Sequence, residues 1–282
     1  MEGMVQVEAR DRVRQIALVV GGAGAIVGAA WGSGAFGGEE INRASSGALA
    51  ATATVLAPGT GAFSIWSVVY ALLIVTAVLH ALPSRAASPH HRALGWWILA
   101  SMILNAAWIS AAQLGLLGLT VPIIALLVAV LVVCLLRLRA LPPAPRLDAV
   151  VLGGTVGLYL GWVCVATVAN VTAVLSFSDL DLTFLPEAVW VVVVLAVAAA
   201  ICAAVVTTAR RRAVAVGATL ASAWGLAWIA VGRLTDGPDS QAAVITALTA
   251  AAVVVVAGVV AVLRGGRDER GSQGSQPGVA TA

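Results

Sequence analysis

Uninterrupted apolar runs long enough to cross a hydrocarbon core dominate this chain, and no other feature restricts its fold so strongly. A span needs about 20 residues of helix at a rise of 1.5 Å each. Eight such runs can be read, over residues 15–36, 62–82, 94–113, 117–136, 150–174, 188–209, 213–232 and 241–263, and none contains Asp, Glu, Lys or Arg. With 61% hydrophobic and 10% charged residues among 282, the chain has too little polar surface for a water-soluble fold, so a bilayer must serve as its solvent. The expected fold class is all-α: a polytopic transmembrane helix bundle with no soluble domain of any size.

All 16 basic residues are arginines, and their placement sets orientation because positively charged loops stay in the cytoplasm. Arg10, Arg12 and Arg14 precede the first run, Arg85 and Arg92 follow the second, and Arg137, Arg139 and Arg146 follow the fourth. Arg210, Arg211 and Arg212 follow the sixth, and Arg264, Arg267 and Arg270 the eighth. The other side has only Arg43 and Arg233, with the acids Glu39, Glu40, Asp179, Asp181, Glu187, Asp236 and Asp239. A multi-pass protein of the plasma membrane with both termini cytoplasmic is therefore expected. The net charge of +3 is an orientation signal, and nucleic acid is not an expected partner. The basic N-terminal segment and the small residues from Gly32 to Ala35 also fit a cleavable signal peptide, but the run is longer than a usual signal core. Cys134, Cys164 and Cys202 all fall inside apolar runs without metal-ligand spacing and read as packing residues.

Two stretches depart from short connections between spans. The outer loop from about 37 to 61 is rich in small residues and is either a flexible connection or a lid over the bundle. The tail from Gly265 onward, rich in Gly, Ser, Gln and Arg, has no apolar face to bury and is expected to be disordered.

Polar and aromatic residues inside the runs form three stripes at helical spacing. Phe63, Trp66 and Tyr70 share one face of the second helix, Asn105 and Trp108 one face of the third, and Tyr159, Trp162, Ala166 and Asn170 one face of the fifth, with Thr167 adjacent. The second helix runs inward and the third and fifth outward, so the stripes can meet at one depth. Amides facing lipid would lack partners, so Asn105 and Asn170 should point into the bundle. The meeting point is either an aromatic pocket opening toward the outer loop or a set of interfacial anchors and hydrogen-bonding braces between helices. Trp31, Trp96, Trp97 and Trp190 read as interfacial anchors, Trp224 and Trp228 as packing. His80, His90 and His91 lie at the arginine-bearing end and read as solvated or interfacial.

Pro58-Gly59 followed by Phe63-Ser64-Ile65-Trp66-Ser67-Val68-Val69-Tyr70 resembles the second helix of the tryptophan-rich sensory protein (TspO) family, relatives of the mitochondrial translocator protein. Leu104-Asn105-Ala106-Ala107-Trp108 is similar to the family's third helix, and the stretch from Tyr159 through Trp162 to Asn170 to its fifth. Leu158 stands where the family usually has proline, and Thr60-Gly61 where tryptophan is common.

The resemblance implies a five-helix core over 15–175 after a cytoplasmic segment 1–14, with three additional helices over 176–264 and the tail 265–282. It further implies a receptor-like pocket for a hydrophobic ligand of tetrapyrrole or sterol type, covered by the first outer loop. Phe63, Trp66, Tyr70, Asn105, Trp108, Tyr159, Trp162, Ala166, Thr167 and Asn170 would line it, with aromatic faces against a flat ligand and amides at its polar edge. No obligatory cofactor is implied, and no general base, nucleophile or metal cluster points to an enzyme. The expected partners are the bilayer, a hydrophobic small molecule and, as a homodimer, a second copy of the chain. A transporter of a small uncharged substrate and a membrane assembly subunit are the alternatives. The absence of charge inside the runs argues against ion coupling.

Overall fold

The computed structural model describes residues 6–32, 43–178 and 185–274. Among them are eight long helices and no strand: α1 (Ala9–Gly32), α2 (Ile65–Ala81), α3 (Pro89–Gln113), α4 (Leu117–Ala140), α5 (Arg146–Ser176), α6 (Glu187–Thr208), α7 (Arg212–Thr235) and α8 (Gln241–Gly274). Every apolar run has its helix, and all eight are long and apolar enough to span a membrane. The chain is a multi-pass membrane protein.

Several helices run further than the apolar runs that announced them. α1, α3 and α5 begin earlier, at Ala9, Pro89 and Arg146, and α4 ends later, at Ala140. Hydropathy ends where the charges begin, whereas intrahelical hydrogen bonding continues until a cap or a proline stops it. α8 likewise continues as helix to Gly274, past the point where the tail was expected to begin; residues 275–282 lie outside the described residues, as do most of Gly32 to Ala35 and the acids Glu39, Glu40, Asp179 and Asp181.

α5 is the axis of the bundle, packed by α2, α4, α6 and α7, while α1 and α4 flank α3 and α8 covers α6 and α7. Its closest neighbour is α7. A Cβ at Gly157 would overlap the Val214 carbonyl, one at Gly161 would stand 2.5 Å from the Ala218 carbonyl oxygen, and one at Gly217 would stand 2.8 Å from the Leu158 nitrogen. Glycines spaced four apart on α5 thus let two backbones touch, a packing mode suited to helices in lipid, where burial against hydrocarbon gives no hydrophobic drive. The small residues of α7 meet α5 of the same chain, so they give no support to binding of an outside partner.

Candidate ligand-binding site

Near the end of the bundle opposite the arginine-rich end, the three aromatic stripes meet. Trp66 stacks on Tyr70 with ring centroids 5.4 Å apart and meets Tyr159 and Trp162 edge-on at 5.9 and 6.2 Å. Phe63, carried on a short 3-10 turn (Thr60–Ser64) ahead of α2, meets Trp162 edge-on at 6.1 Å. These edge-to-face distances are favourable for aromatic quadrupoles. Both asparagines turn inward as their cost in lipid requires. Asn105 donates its amide to the Tyr70 hydroxyl at 3.1 Å, and Asn170 accepts from the Trp108 indole at 3.2 Å and donates to Thr120 Oγ1 at 2.8 Å. Tyr159 donates to the Ser101 carbonyl. Thr167 hydrogen-bonds the Val163 carbonyl of its own helix at 2.7 Å and, like Tyr70 and Tyr159, lines neither of the two small cavities at this site.

Two adjoining small cavities remain between these side chains. One, of about 40 Å³, lies under the loop between α1 and α2, with Ala48, Leu49, Thr54, Ala57 and Pro58 above and Phe63, Trp108, Trp162, Ala166 and Asn170 below. A deeper one of about 20 Å³ is bounded by Phe63, Trp66, Asn105, Trp108, Trp162 and Ala166. Together they have room for a few water molecules, far below the roughly 300–1,000 Å³ of an ordinary small-molecule site. Two polar atoms of lining residues are buried without a hydrogen-bond partner: the indole Nε1 of Trp162, a residue only 1% exposed, and the hydroxyl of Thr54. Thr54 also borders a larger chamber of about 530 Å³, formed by the loop and the facing ends of α5 and α6 and including Glu187 and Trp190.

A family model described as TSPO-like protein matches residues 16–261 of this chain, reaching into all eight helices. The chain belongs to the TSPO-like protein family. Searches of curated proteins and of solved structures return no match.

In this TSPO-like chain the loop between α1 and α2 is folded over the cavity, with Ala44, Ala48, Leu56 and Ala62 each at most 2% exposed; residues 33–42 of it lie outside the described residues. The holding contacts come from α7, which the sequence did not connect with the site. Arg233, placed by the sequence reading in an outer loop, is helical and 2% exposed. Its guanidinium donates to the carbonyls of Ala51, Thr54 and Ala57 at 2.5, 2.7 and 3.2 Å. Trp224 donates its indole N–H to the Ala62 carbonyl at 3.0 Å, and the Gly59 amide donates to the Trp228 carbonyl at 2.9 Å. The Trp228 ring lies where a side chain at position 61 would stand. Glycine at 61 thus leaves room for a tryptophan supplied from α7. One arginine at the far end of an apolar run was the available signal for this clamp; Thr120, which completes the Asn170 bridge, gave none.

The histidines require a correction. His80, His90 and His91 are not solvated but 1%, 5% and 0% exposed. The rings of His80 and His91 lie 4.1 Å apart, and His91 Nε2 is 3.5 Å from Asp148 Oδ2, which also pairs with Arg85 at 3.1 Å. Nearby, Asp11 is buried between Arg14 at 2.8 Å and Arg92 at 2.5 Å, joining α1 to α3. Because the helices outrun the apolar stretches, Asp11, Arg14, Asp148 and Arg233 are all enclosed by the bundle. The argument against ion coupling from charge-free spans therefore fails. Asp11, Arg14, His80, His91 and Asp148 sit at the opposite end from the aromatic cavity, and Arg233 at the cavity end.

Proposed function

We propose that this TSPO-like protein is a receptor of sensory type that binds a flat hydrophobic molecule, of tetrapyrrole or sterol class, under the first outer loop and performs no chemistry on it. One observation carries the reading: the buried, unpartnered indole N–H of Trp162, a residue that lines both aromatic cavities. A buried donor without a partner is unfavourable by about 1–3 kcal/mol, and a ligand carbonyl or carboxylate would relieve it while the ligand plane lies against the ring of Trp66, which is nearly perpendicular to that of Trp162. The Thr54 hydroxyl, on the lid side, is a second partner for such a polar edge. Cavities of about 40 and 20 Å³ hold no tetrapyrrole as they stand, so binding requires the lid to lift. The chamber beyond Thr54 gives the ligand a way in beside α6. The arginine-rich end is assigned to the cytoplasm and the lid to the outer face of the plasma membrane.

The test is titration of the purified protein with protoporphyrin, followed through the porphyrin absorption band, with the Trp162→Ala and Trp66→Ala proteins in parallel. Saturable binding that both variants lose supports the reading, and no saturable binding by the unmodified protein removes tetrapyrroles as the ligand.

A carrier is the second reading, and the buried Asp148, His91 and His80 cluster favours it, since intramembrane ionisable residues commonly serve ion or proton pathways. Proton uptake by proteoliposomes that depends on an added hydrophobic substrate and disappears in Asp148→Asn would move the assignment to transport.

A further inference from the structure

A groove of about 600 Å³ lies at the arginine-rich end, between the α4–α5 connection and the first turns of α5 and α7. Its floor is apolar and lies within the two spanning helices: Val150, Gly154 and Leu158 from α5, and Val216 and Leu220 from α7. Val150 and Leu220 are 58% and 61% exposed, as expected of side chains that meet acyl chains. The rim is basic, with Arg146, Arg211 and Arg212 and no aspartate or glutamate among the lining residues.

The three arginines play different parts. Arg211 is fixed in place, its guanidinium donating to the carbonyls of Leu138 and Leu141 at the end of α4. Arg146 and Arg212 are exposed and make no ion pair with any described residue. They are also the first residues of α5 and α7, so the partial positive charge of two helix starts adds to theirs.

We propose that this groove is a binding site for an anionic phospholipid, with its phosphate at Arg146 and Arg212 and an acyl chain lying over Gly154 between Leu158 and Leu220. Basic pockets between helices at the cytoplasmic side of a membrane suit acidic headgroups. Apolar floor and basic rim are continuous, which matches an amphiphile and leaves a free inorganic anion without use for the floor. An acidic peptide in water could not reach a floor that lies inside the spanning segments. The groove opens at the opposite end from the lid, so the proposal stands or falls independently of the ligand assigned to the aromatic cavity.

The experiment is native mass spectrometry of the full chain in detergent, titrated with phosphatidylglycerol and, separately, phosphatidylcholine. Phosphatidylglycerol should be retained preferentially, and Arg146→Gln with Arg212→Gln should weaken its retention roughly 30-fold, at about 1 kcal/mol for each arginine, without changing phosphatidylcholine retention. Gly154→Leu supplies a second variant that keeps every charge. A Cβ at Gly154 meets nothing within 4 Å, so the larger side chain enters the groove without disturbing the helix contact and should reduce phosphatidylglycerol retention at unchanged melting temperature. Equal retention of the two lipids by the unmodified protein, or undiminished phosphatidylglycerol retention in Gly154→Leu, would overturn the proposal.

Discussion

The guanidinium of Arg233 donates to the carbonyl oxygen of Thr54 at 2.7 Å, joining the seventh helix to the loop that closes the aromatic cavity. With the carbonyls of Ala51 and Ala57 on the same guanidinium, one side chain satisfies three backbone acceptors in a segment that has almost no regular structure of its own. Such a loop cannot stay folded over a bundle by backbone pairing alone, since its carbonyls would otherwise need water.

Arg233→Leu removes that donor and leaves the Ala51 and Ala57 carbonyls without its hydrogen bonds, while the Thr54 carbonyl keeps only the Ala57 N–H at 3.1 Å. A loss of about 3 kcal/mol is expected in denaturant unfolding, together with faster hydrogen exchange over residues 44–57 and little change in α3 or α4. Exchange that rises equally throughout the protein would show that Arg233 supports the bundle as a whole and not the lid.

Backbone contact between α5 and α7 makes a second prediction. A side chain at Gly157 would overlap the Val214 carbonyl, and a backbone cannot step aside as a flexible side chain can. Gly157→Leu should therefore destabilise by about 3 kcal/mol or more and separate α7 from α5. Gly154→Leu, one turn away where a Cβ meets open space, should stay within about 0.5 kcal/mol. Comparable losses for the two variants in the same unfolding assay would refute this account of the interface.

At the arginine-rich end, Arg85 lies 3.1 Å from Asp148 Oδ2, and the carboxylate is fully buried. Asp148→Asn leaves the arginine unpaired and should lower stability by about 3 kcal/mol. Arg85→Gln should do the same, while the double variant recovers a good part of the loss because neither charge is then left alone. A double-mutant cycle with additive losses would mean that the pair contributes nothing as a pair.

How far the sequence could be read depends on which residues carry each feature. The spans were legible because a hydrocarbon core demands uninterrupted apolar length, and the cage was legible because Phe63, Trp66 and Tyr70 recur at helical spacing with their partners on α3 and α5. Both asparagines turn inward for the reason that hydropathy gives, the absence of partners in lipid. The contacts of Arg233, Trp224 and Gly61 were not legible. They join residues more than 160 positions apart, and no local period signals such a meeting. The burial of His91 and Asp148 was hidden for a different reason: both lie beyond the ends of their apolar runs, and a helix continues as long as its hydrogen bonds are satisfied.

The two indoles of the cavity wall allow the ligand reading to be separated from mere packing. Trp108 spends its N–H on Asn170 within the protein, whereas the N–H of Trp162 is buried and unpartnered. Trp108→Phe should therefore lower stability by about 1 kcal/mol, the size of one hydrogen bond between helices, and leave Asn170 with a vacant acceptor. Trp162→Phe keeps an aromatic ring for Phe63 and Trp66 to meet and loses no internal hydrogen bond, so its melting temperature should hold or rise slightly. Its affinity for protoporphyrin should nevertheless fall about fivefold to tenfold, as the ligand's acceptor loses a donor worth about 1–1.4 kcal/mol. Stability and affinity move in opposite senses for these two replacements only if Trp162 donates to the ligand. An unchanged protoporphyrin affinity in Trp162→Phe would reduce that residue to packing.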